Sequence, residues 1–338
     1  MFKNKKLATG YEVAIEACFD AGATMMYGYP ITPVTEVFTE WIKRGGESLQ
    51  AEDEIAAGFG VCGGVIGGQK TFTTTAGPGH VLMQDPLSMA EGMRLPMVVI
   101  VGQRGGPSSG TVIYSQQEVN LAVHGGNGEG LRLVYSPSTI EELYFLTRRA
   151  FNEAWLYRFP SIILTDGYLL KSQGVFSVKE DLKNVSSYPL VKEGEQKHWR
   201  NIYTLEEELN EVVLQNKKDF DSIKEKVVSA ETYQTTGAEI LLIAHGIVGA
   251  AAKEAVDILR QQGIKIGLFR PLTLSPLADK ELNQAAKGAK KIVIVESSLG
   301  QLAEIIRTNL DPKNIATFEY LQFPALGVET ETIVKHFK

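Results

Sequence analysis

The chain has few of the residues that would indicate a redox centre or a metal site. Only two of its 338 residues are cysteines, Cys18 and Cys62, and both lie in apolar helical patterns. A cysteine-ligated iron–sulfur cluster takes about four thiolates, so this chain cannot hold one by itself. We expect both thiols to be small buried hydrophobes. The five histidines show no spacing typical of metal ligands, so no metal site is expected.

An excess of basic charge and a long apolar run are also missing. The 34 Lys and Arg residues are outnumbered by 40 Asp and Glu, which gives a formal net charge of −6. This balance argues against a nucleic acid or an anionic membrane surface as a partner. The basic start of the chain is followed by Glu12 and Glu16, so neither a signal-peptide core nor a membrane span is predicted. We expect a cytoplasmic protein.

Short apolar strands alternate with helical patterns along most of the chain, which predicts α/β architecture with parallel sheets covered on both faces. The length and the 44% hydrophobic content suit two domains. We expect a larger N-terminal domain over 1–170 and a smaller one over 237–338. Between them, 171–236 is charged and hydroxyl-rich, with an amphipathic stretch over Leu205–Leu214, and is predicted to be a linker with some structure of its own.

Two glycine motifs resemble nucleotide-binding loops but lack the required context. Gly58–Gly63 matches G-x-G-x-x-G, yet an acidic helical segment precedes it instead of a strand, so close helix packing is the better interpretation. Gly105–Thr111 has glycines spaced as in a P-loop but no lysine, and Arg104 precedes it at the end of a strand. We interpret this segment as a substrate-facing loop.

The strongest functional signal lies in two nearby segments. Tyr27-Gly28-Tyr29-Pro30-Ile31-Thr32-Pro33 ends an apolar strand at a turn with two prolines, which places the Thr32 hydroxyl at a strand's carboxyl end, where ligands of open α/β sheets collect. Gln50–Gly58 then puts Glu52, Asp53 and Glu54 within one helical turn, ahead of small residues that permit close backbone approach. One of the three carboxylates is expected to be buried.

Farther along come Gly77-Pro78-Gly79 with Leu82-Met83-Gln84, and then Arg104-Gly105-Gly106-Pro107-Ser108-Ser109-Gly110. With these motifs in this order, the chain resembles the alpha subunit of 2-oxoacid:ferredoxin oxidoreductases. The resemblance extends through Thr165–Leu169, Arg270–Leu272 and Val295–Leu302. It implies two doubly wound domains of the thiamine-enzyme type, a pyrimidine-binding domain followed by a transketolase C-terminal-like domain.

The resemblance also implies roles for single residues. Glu54 matches the glutamate that binds the pyrimidine ring of thiamine diphosphate and assists proton loss from the cofactor, with Glu52 as the alternative. Tyr29 and Pro30 match residues beside the cofactor. Arg104 and Thr32 match residues that contact the 2-oxoacid carboxylate, and a guanidinium offers a two-point clamp for such a group. A structural ion pair is the alternative role for Arg104.

The chain carries only half of a thiamine site. Magnesium binding in such enzymes needs a G-D-G motif and a later asparagine, whereas here Thr165-Asp166-Gly167 lacks the first glycine and Asn184 follows too closely. We therefore expect thiamine diphosphate to be shared with a beta subunit that carries the diphosphate-binding domain and magnesium. Iron–sulfur clusters are expected on partner subunits, which could include gamma and delta subunits.

The resemblance implies oxidative decarboxylation of a 2-oxoacid with coenzyme A and ferredoxin, giving acyl-CoA, CO₂ and reduced ferredoxin. The segment His124–Gly130 leaves 2-oxoglutarate and branched-chain acids both open as substrates. Two alternatives are a transketolase or 2-oxoacid dehydrogenase type of thiamine enzyme, and a noncatalytic scaffold subunit. The scaffold alternative predicts that Glu54 is replaceable.

Overall fold

The computed structural model describes residues 5–178, 183–314 and 316–337. Its first part contains β1 (Lys5–Thr9), α1 (Gly10–Asp20), β2 (Met25–Gly28), α2 (Thr35–Lys43), β3 (Glu47–Gln50), α3 (Glu54–Ile66), β4 (Thr71–Thr75), α4 (Pro78–Leu82), α5 (Gln84–Gly92), β5 (Val98–Gln103), α6 (Val119–His124), β6 (Leu133–Tyr135), α7 (Ile140–Tyr157), β7 (Ser161–Asp166), α8 (Gly167–Lys171) and β8 (Gln173–Ser177). Hydrophobic periodicity predicts helices over Glu54–Ile66 and Ile140–Tyr157, and α3 and α7 have these bounds.

The remaining elements are α9 (Glu206–Val227), β9 (Ala230–Tyr233), β10 (Ile240–Ile243), α10 (Gly246–Gln261), β11 (Ile266–Pro271), β12 (Thr273–Ser275), α11 (Asp279–Ala286), β13 (Lys291–Glu296), α12 (Gln301–Asn309), β14 (Thr317–Gln322) and α13 (Thr330–His336). None of the helices within the described ranges combines the length and the apolar character that a membrane crossing demands.

A seven-stranded sheet in the order β12-β6-β7-β5-β4-β2-β3 forms the centre of the first part. Its strands from β6 to β3 are parallel. Val98 and Ile100 of β5 pack into one core, whereas Val99 and Val101 pack into another on the opposite face. Both faces are thus covered, as the apolar strands predict. Because β3 and β4 flank β2, the carboxyl end of β2 lies at a topological switch point, where such sheets bind ligands.

The second sheet has the order β14-β13-β10-β11-β9 and is parallel except for β9. One strand from the second part of the chain belongs to the first sheet. Strand β12, which follows β11 in sequence, pairs antiparallel with β6 and so belongs to the first sheet. Arg270, at the end of β11, forms ion pairs with Glu142 of α7 and Glu231 of β9. The two sheets are therefore joined by a strand and by the ion pairs of the buried Arg270 side chain.

The segment 171–236 is more structured than its composition indicates. The amphipathic stretch over Leu205–Leu214 is the beginning of α9, which continues to Val227 because Phe220, Ile223 and Val227 are buried against the first part. The ring of Phe220 lies edge-on to Phe159, with 5.0 Å between centroids. Farther upstream, the helical pattern predicts a single helix over His80–Met93, but the structure has two helices, α4 and α5, separated at Met83. Pro86 has no N–H to donate to the preceding turn, which favours this break.

The glycines of α3 permit close packing, as the sequence predicts. A Cβ on Gly58 would lie 2.7 Å from the sulfur of Met83, and one on Gly60 would lie 2.5 Å from the ring of Tyr27. The helix therefore packs against β2 and α5 at a distance that only glycine allows at these positions. Cys18 and Cys62 are buried and free, and burial raises the pKa of both thiols. This confirms their expected role as small core residues.

Candidate active site

Glu54 lies at the start of α3, directly after the turn that follows β3. The side chain of Asp53 caps this helix by accepting a hydrogen bond from the Ala56 amide at 2.7 Å, and Glu52 is exposed. Glu54 is only 5% exposed, so it is the buried member of the carboxylate trio. Burial raises the pKa of Glu54; the neighbouring Asp53 also raises it, and Arg104 opposes the shift. The carboxyl therefore holds its proton more tightly than a solvated glutamate does.

The turn Gly77-Pro78-Gly79 covers Glu54. A Cβ on Gly79 would overlap Glu54 Oε1 and would lie 2.5 Å from the Thr75 hydroxyl. That hydroxyl is buried and has no hydrogen-bond partner among the described residues. Gly77 has a φ of +51°, in the left-handed region. Both glycines are thus needed here, one for the backbone conformation and one for the space over the carboxyl.

Arg104 follows β5 and is almost fully buried. Its Nη1 donates to the Thr32 carbonyl at 2.7 Å, and its Nε is buried without a hydrogen-bond partner. No carboxylate of the described residues lies within ion-pair distance of its guanidinium. The Thr32 hydroxyl is not used in this contact, and Thr32 as a residue is partly exposed. Arg104 therefore has guanidinium donors that the rest of the described chain leaves unused.

Tyr29 and Pro30 lie just beyond β2, between the strands that lead to Glu54 and to Gly77. The side chain of Tyr29 is 37% exposed, and Pro30 is partly exposed. All five residues singled out in the sequence are therefore at the carboxyl edge of the first sheet. Glu54 and Arg104 lie on either side of the Gly77–Gly79 turn.

Sequence reasoning missed two residues of this edge, Glu118 and His80. Glu118 ends the loop that begins at Gly105, and its Oε1 accepts from the amides of Gly77 at 2.9 Å and Arg104 at 2.7 Å. Its Oε2 lies 2.8 Å from His80 Nδ1. No local pattern marks Glu118, because its partners are 14 to 41 positions away in sequence. The sequence predicts an ordinary polar or capping role for each histidine; His80 is fully buried and its ring contacts Glu118.

The loop 105–111 is held closed by its own hydrogen bonds. The Gly105 amide donates to the Thr111 hydroxyl at 2.9 Å, and the Thr111 amide donates to the Gly105 carbonyl at 2.8 Å. Residues 107–112 are exposed. From Gly105 to Gln117 the loop carries no charged side chain. An uncharged, exposed loop thus projects directly after Arg104.

Asp166 and Asn184, the nearest equivalents of a magnesium motif, are engaged in other contacts. Asp166 is buried and caps α8 by accepting from the Leu169 amide at 2.9 Å, and burial raises its pKa to about 7. Asn184 donates to the Asp20 carbonyl and accepts from Arg148. Within the described ranges, no group of three or more His, Cys, Asp or Glu side chains is arranged to hold a metal ion.

Comparison with known families adds a second line of observation. The family model described as pyruvate flavodoxin/ferredoxin oxidoreductase, thiamine diphosphate-binding, matches residues 16–240. The model for pyruvate:ferredoxin oxidoreductase core domain II matches residues 238–325.

Individual relatives agree with the family models. The ketoisovalerate oxidoreductase subunit VorB of Methanothermobacter marburgensis is 33% identical over 314 residues, covering 89% of each chain. The 2-oxoglutarate synthase subunit KorA of the same organism is 29% identical over 332 residues, covering 87% of this chain and 88% of KorA.

Two solved structures share the fold. The 2-oxoglutarate:ferredoxin oxidoreductase from Magnetococcus marinus, solved with 2-oxoglutarate, coenzyme A and succinyl-CoA bound, aligns with a TM-score of 0.88 and 26% identity, over 99% of this chain and 65% of that one. A split-gene transketolase in an inactive β4 tetramer aligns with a TM-score of 0.59 at 15% identity, over 96% of this chain and 94% of that one, and is similar in fold alone.

Proposed function

We propose that this chain, which belongs to the pyruvate:ferredoxin oxidoreductase family of thiamine-dependent enzymes, is the subunit of a 2-oxoacid:ferredoxin oxidoreductase that binds the pyrimidine ring of the cofactor. The two family models confirm the resemblance that the sequence motifs indicate. Together with the aligned structure, they also confirm the fold of two thiamine-enzyme-type domains. The complex would convert a 2-oxoacid, coenzyme A and two oxidised ferredoxins into acyl-CoA, CO₂, two reduced ferredoxins and one proton.

The observation that carries this proposal is the buried carboxyl of Glu54 beneath Gly79. A polar pyrimidine nitrogen needs a partner that holds a proton in an apolar setting, and burial has raised the pKa of Glu54 as that task requires. Among the described residues, only the backbone of Glu54 itself forms a hydrogen bond with its carboxyl. The residues present therefore fit the pyrimidine of thiamine diphosphate, with Glu54 at the ring nitrogen and Tyr29 and Pro30 beside it. When bound, that cofactor supplies the electron sink for decarboxylation.

Arg104 and Thr32 would bind the substrate carboxylate. The contact from Nη1 to the Thr32 carbonyl holds one side of the guanidinium in place, which leaves other N–H groups to face a carboxylate. Two parallel charge-assisted bonds from a planar group orient a carboxylate better than a point charge does. The Thr32 hydroxyl adds one more donor. The role of both residues is to fix the keto carbon relative to the cofactor.

Magnesium and the iron–sulfur clusters would lie on partner subunits, the first on a beta subunit with the diphosphate-binding domain. The two buried cysteines of this chain and the engaged side chains of Asp166 and Asn184 support this division. Gamma and delta subunits and ferredoxin are the other partners we propose. We propose a cytoplasmic location for the complex.

We propose that 1–170 is the pyrimidine-binding domain, that 237–338 is the transketolase C-terminal-like domain, and that 171–236 connects them. The second sheet supports this division, because its parallel strands begin with β10 at Ile240. The connection is ordered where α9 packs on the first domain, and its strand β9 adds an antiparallel edge to the second sheet.

A branched-chain 2-oxoacid is the substrate that we favour. The loop after Arg104 offers no cation for a second carboxylate and exposes the apolar side chain of Val112. The relative that acts on ketoisovalerate is also somewhat more similar in sequence than the 2-oxoglutarate synthase subunit. 2-Oxoglutarate is the second candidate, because the aligned solved structure was obtained with that acid bound.

The test is an activity assay of the native complex, purified from its own cells, with ferredoxin as acceptor and coenzyme A as co-substrate. 2-Oxoisovalerate, 2-oxoglutarate and pyruvate are compared at equal concentration. We expect the highest kcat/KM with 2-oxoisovalerate. Preference for 2-oxoglutarate would correct the substrate only, whereas the absence of ferredoxin reduction with every 2-oxoacid would refute the proposed function.

A further inference from the structure

Glu118 is a buried carboxylate that no part of the proposed chemistry uses. It lies at the N-cap of α6, at the end of the loop that starts with Gly105, and it is 5% exposed. A buried carboxylate is costly unless its oxygens are well satisfied. Here both oxygens are engaged, and every partner belongs to the edge of the sheet where the candidate site lies.

The contacts of Glu118 join the ends of two neighbouring strands. Oε1 accepts from the Gly77 amide, beyond β4, and from the Arg104 amide, beyond β5. Strands β4 and β5 are paired only up to Thr75 and Val101. Beyond these residues, Glu118 Oε1 connects the two segments in place of direct backbone hydrogen bonds between the strands. This oxygen therefore sets the distance between the two segments.

This spacing determines the path of the Arg104 side chain. A Cβ on Gly77 would lie 2.6 Å from Arg104 Nε, so the guanidinium passes directly over the Gly77 backbone. Two residues later the same turn covers the Glu54 carboxyl through Gly79. A shift of the turn relative to Arg104 would therefore move both the substrate clamp and the cover of the cofactor glutamate.

We propose that Glu118 is a positioning residue, which acts through Arg104 and the Gly77–Gly79 turn to set the distance between the substrate carboxylate and the cofactor pyrimidine. This inference rests on the proposed function. Glu118 contacts both strand ends and so sets their spacing. Neither Glu54 nor Arg104 can set this spacing, since each follows a different strand.

His80 supports the carboxylate from the opposite side. His80 Nδ1 lies 2.8 Å from Glu118 Oε2, within hydrogen-bond distance. His80 follows Gly79 in the same turn, and its carbonyl accepts from Gln84 at 2.9 Å. The imidazole thus connects Glu118 to α4 and prevents the carboxyl from rotating away from the two amides.

The experiment compares Glu118→Ala with Glu296→Ala in the whole complex. Glu296 is a matched control, because it is a buried carboxylate at the end of β13 that accepts from the Leu302 amide at 2.9 Å, in the second domain. Isothermal titration calorimetry measures the Kd of oxamate, an unreactive carboxylate with a neighbouring carbonyl, and kinetics give the KM values for the 2-oxoacid and for coenzyme A.

We expect Glu118→Ala to raise the oxamate Kd and the 2-oxoacid KM about tenfold while the coenzyme A KM changes less than about twofold, since only the clamp is displaced. Glu118→Gln, which keeps one acceptor oxygen for the two amides, should recover most of the affinity. Glu296→Ala should lower the melting temperature and leave the oxamate Kd unchanged.

An unchanged oxamate Kd in Glu118→Ala, with a lowered melting temperature like that of the control, would overturn the proposal and leave Glu118 a structural residue. If Glu118→Ala does not assemble, Glu118→Asp replaces it, because a carboxylate shorter by one methylene cannot reach both strand ends. The same rise in Kd is then expected, and its absence is equally decisive. A wild-type complex inactive with every 2-oxoacid would instead refute the proposed function.

Discussion

The guanidinium of Arg104 crosses the backbone of Gly77, and the two residues are linked again through the carboxylate that accepts from both of their amides. Any side chain at position 77 would displace the guanidinium, and the positive φ of Gly77 also disfavours other residues. The candidate substrate clamp, Arg104, thus follows β5, and the path of its side chain is set by Gly77, which follows β4. Variants at this edge separate the proposed roles.

Glu54→Gln should lower turnover at least about a hundredfold, because the amide cannot take part in proton exchange with the pyrimidine. The complex should assemble as before, since Gln has nearly the same shape. Ferredoxin reduction and size-exclusion chromatography measure the two properties. Glu52→Gln is the control, because Glu52 is exposed. Normal turnover of Glu54→Gln would support the scaffold alternative.

Arg104→Lys should raise the KM for the 2-oxoacid well above its wild-type value, because a two-point clamp becomes a single charge. Coenzyme A serves as an internal control, and its KM should stay within about twofold of wild type. Steady-state kinetics with each substrate varied in turn measures both constants. Unchanged 2-oxoacid kinetics would leave Thr32 and the partner subunit as candidates for the carboxylate site.

Gly79→Ala should prevent normal cofactor binding, because its Cβ would overlap Glu54 Oε1. Thiamine diphosphate titration of the cofactor-depleted complex measures the effect. Gly63→Ala provides the matched control, since a Cβ there meets no atom within 4 Å on the exposed side of α3. That control should leave binding unchanged and stabilise the helix by about 0.5 to 1 kcal/mol. Equal behaviour of the two variants would contradict the steric argument.

The isolated chain should not bind thiamine diphosphate tightly in the presence of magnesium, because the proposed diphosphate and metal site lies on the beta subunit. Calorimetric titration of the purified chain, with the whole complex as positive control, measures this. Tight binding that depends on magnesium in the isolated chain would show that the division of the site is wrong.

Asp166→Asn should stabilise the protein at alkaline pH. Burial raises the pKa of Asp166 from the ordinary 3.8 to about 7. The folded state thus binds the proton more tightly than the unfolded chain, so wild-type stability falls as the pH rises from about 4 to 8. The asparagine variant escapes this loss, with a gain of up to about 4 kcal/mol at pH 8 and little at pH 4.

Thermal unfolding at pH 5 and pH 8 measures the difference between the Asp166→Asn variant and wild type. Asp53→Asn is the control, because Asp53 caps α3 through the same kind of contact but is partly exposed. A gain for Asp166→Asn that does not depend on pH would contradict a titrating carboxyl.

The sequence by itself determined the class of the fold, the boundaries of α3 and α7, and the burial of one carboxylate near position 54. These features depend on local chemistry. Hydrophobic periodicity indicates which face of a helix is buried. Asp53 caps α3 through a residue three positions later, and the small residues after Glu54 predict close packing. The motif order was sufficient to indicate the family because these motifs are short and contiguous.

Only the tertiary structure decided how the site is assembled. Strand β12 joins the first sheet although its neighbours in sequence belong to the second, and α9 is longer than its amphipathic start because its last turns pack on the first part. Glu118 meets Gly77 and Arg104 only after β4 and β5 pair in the sheet. Contacts of this kind join residues far apart in the chain, and no local pattern encodes them.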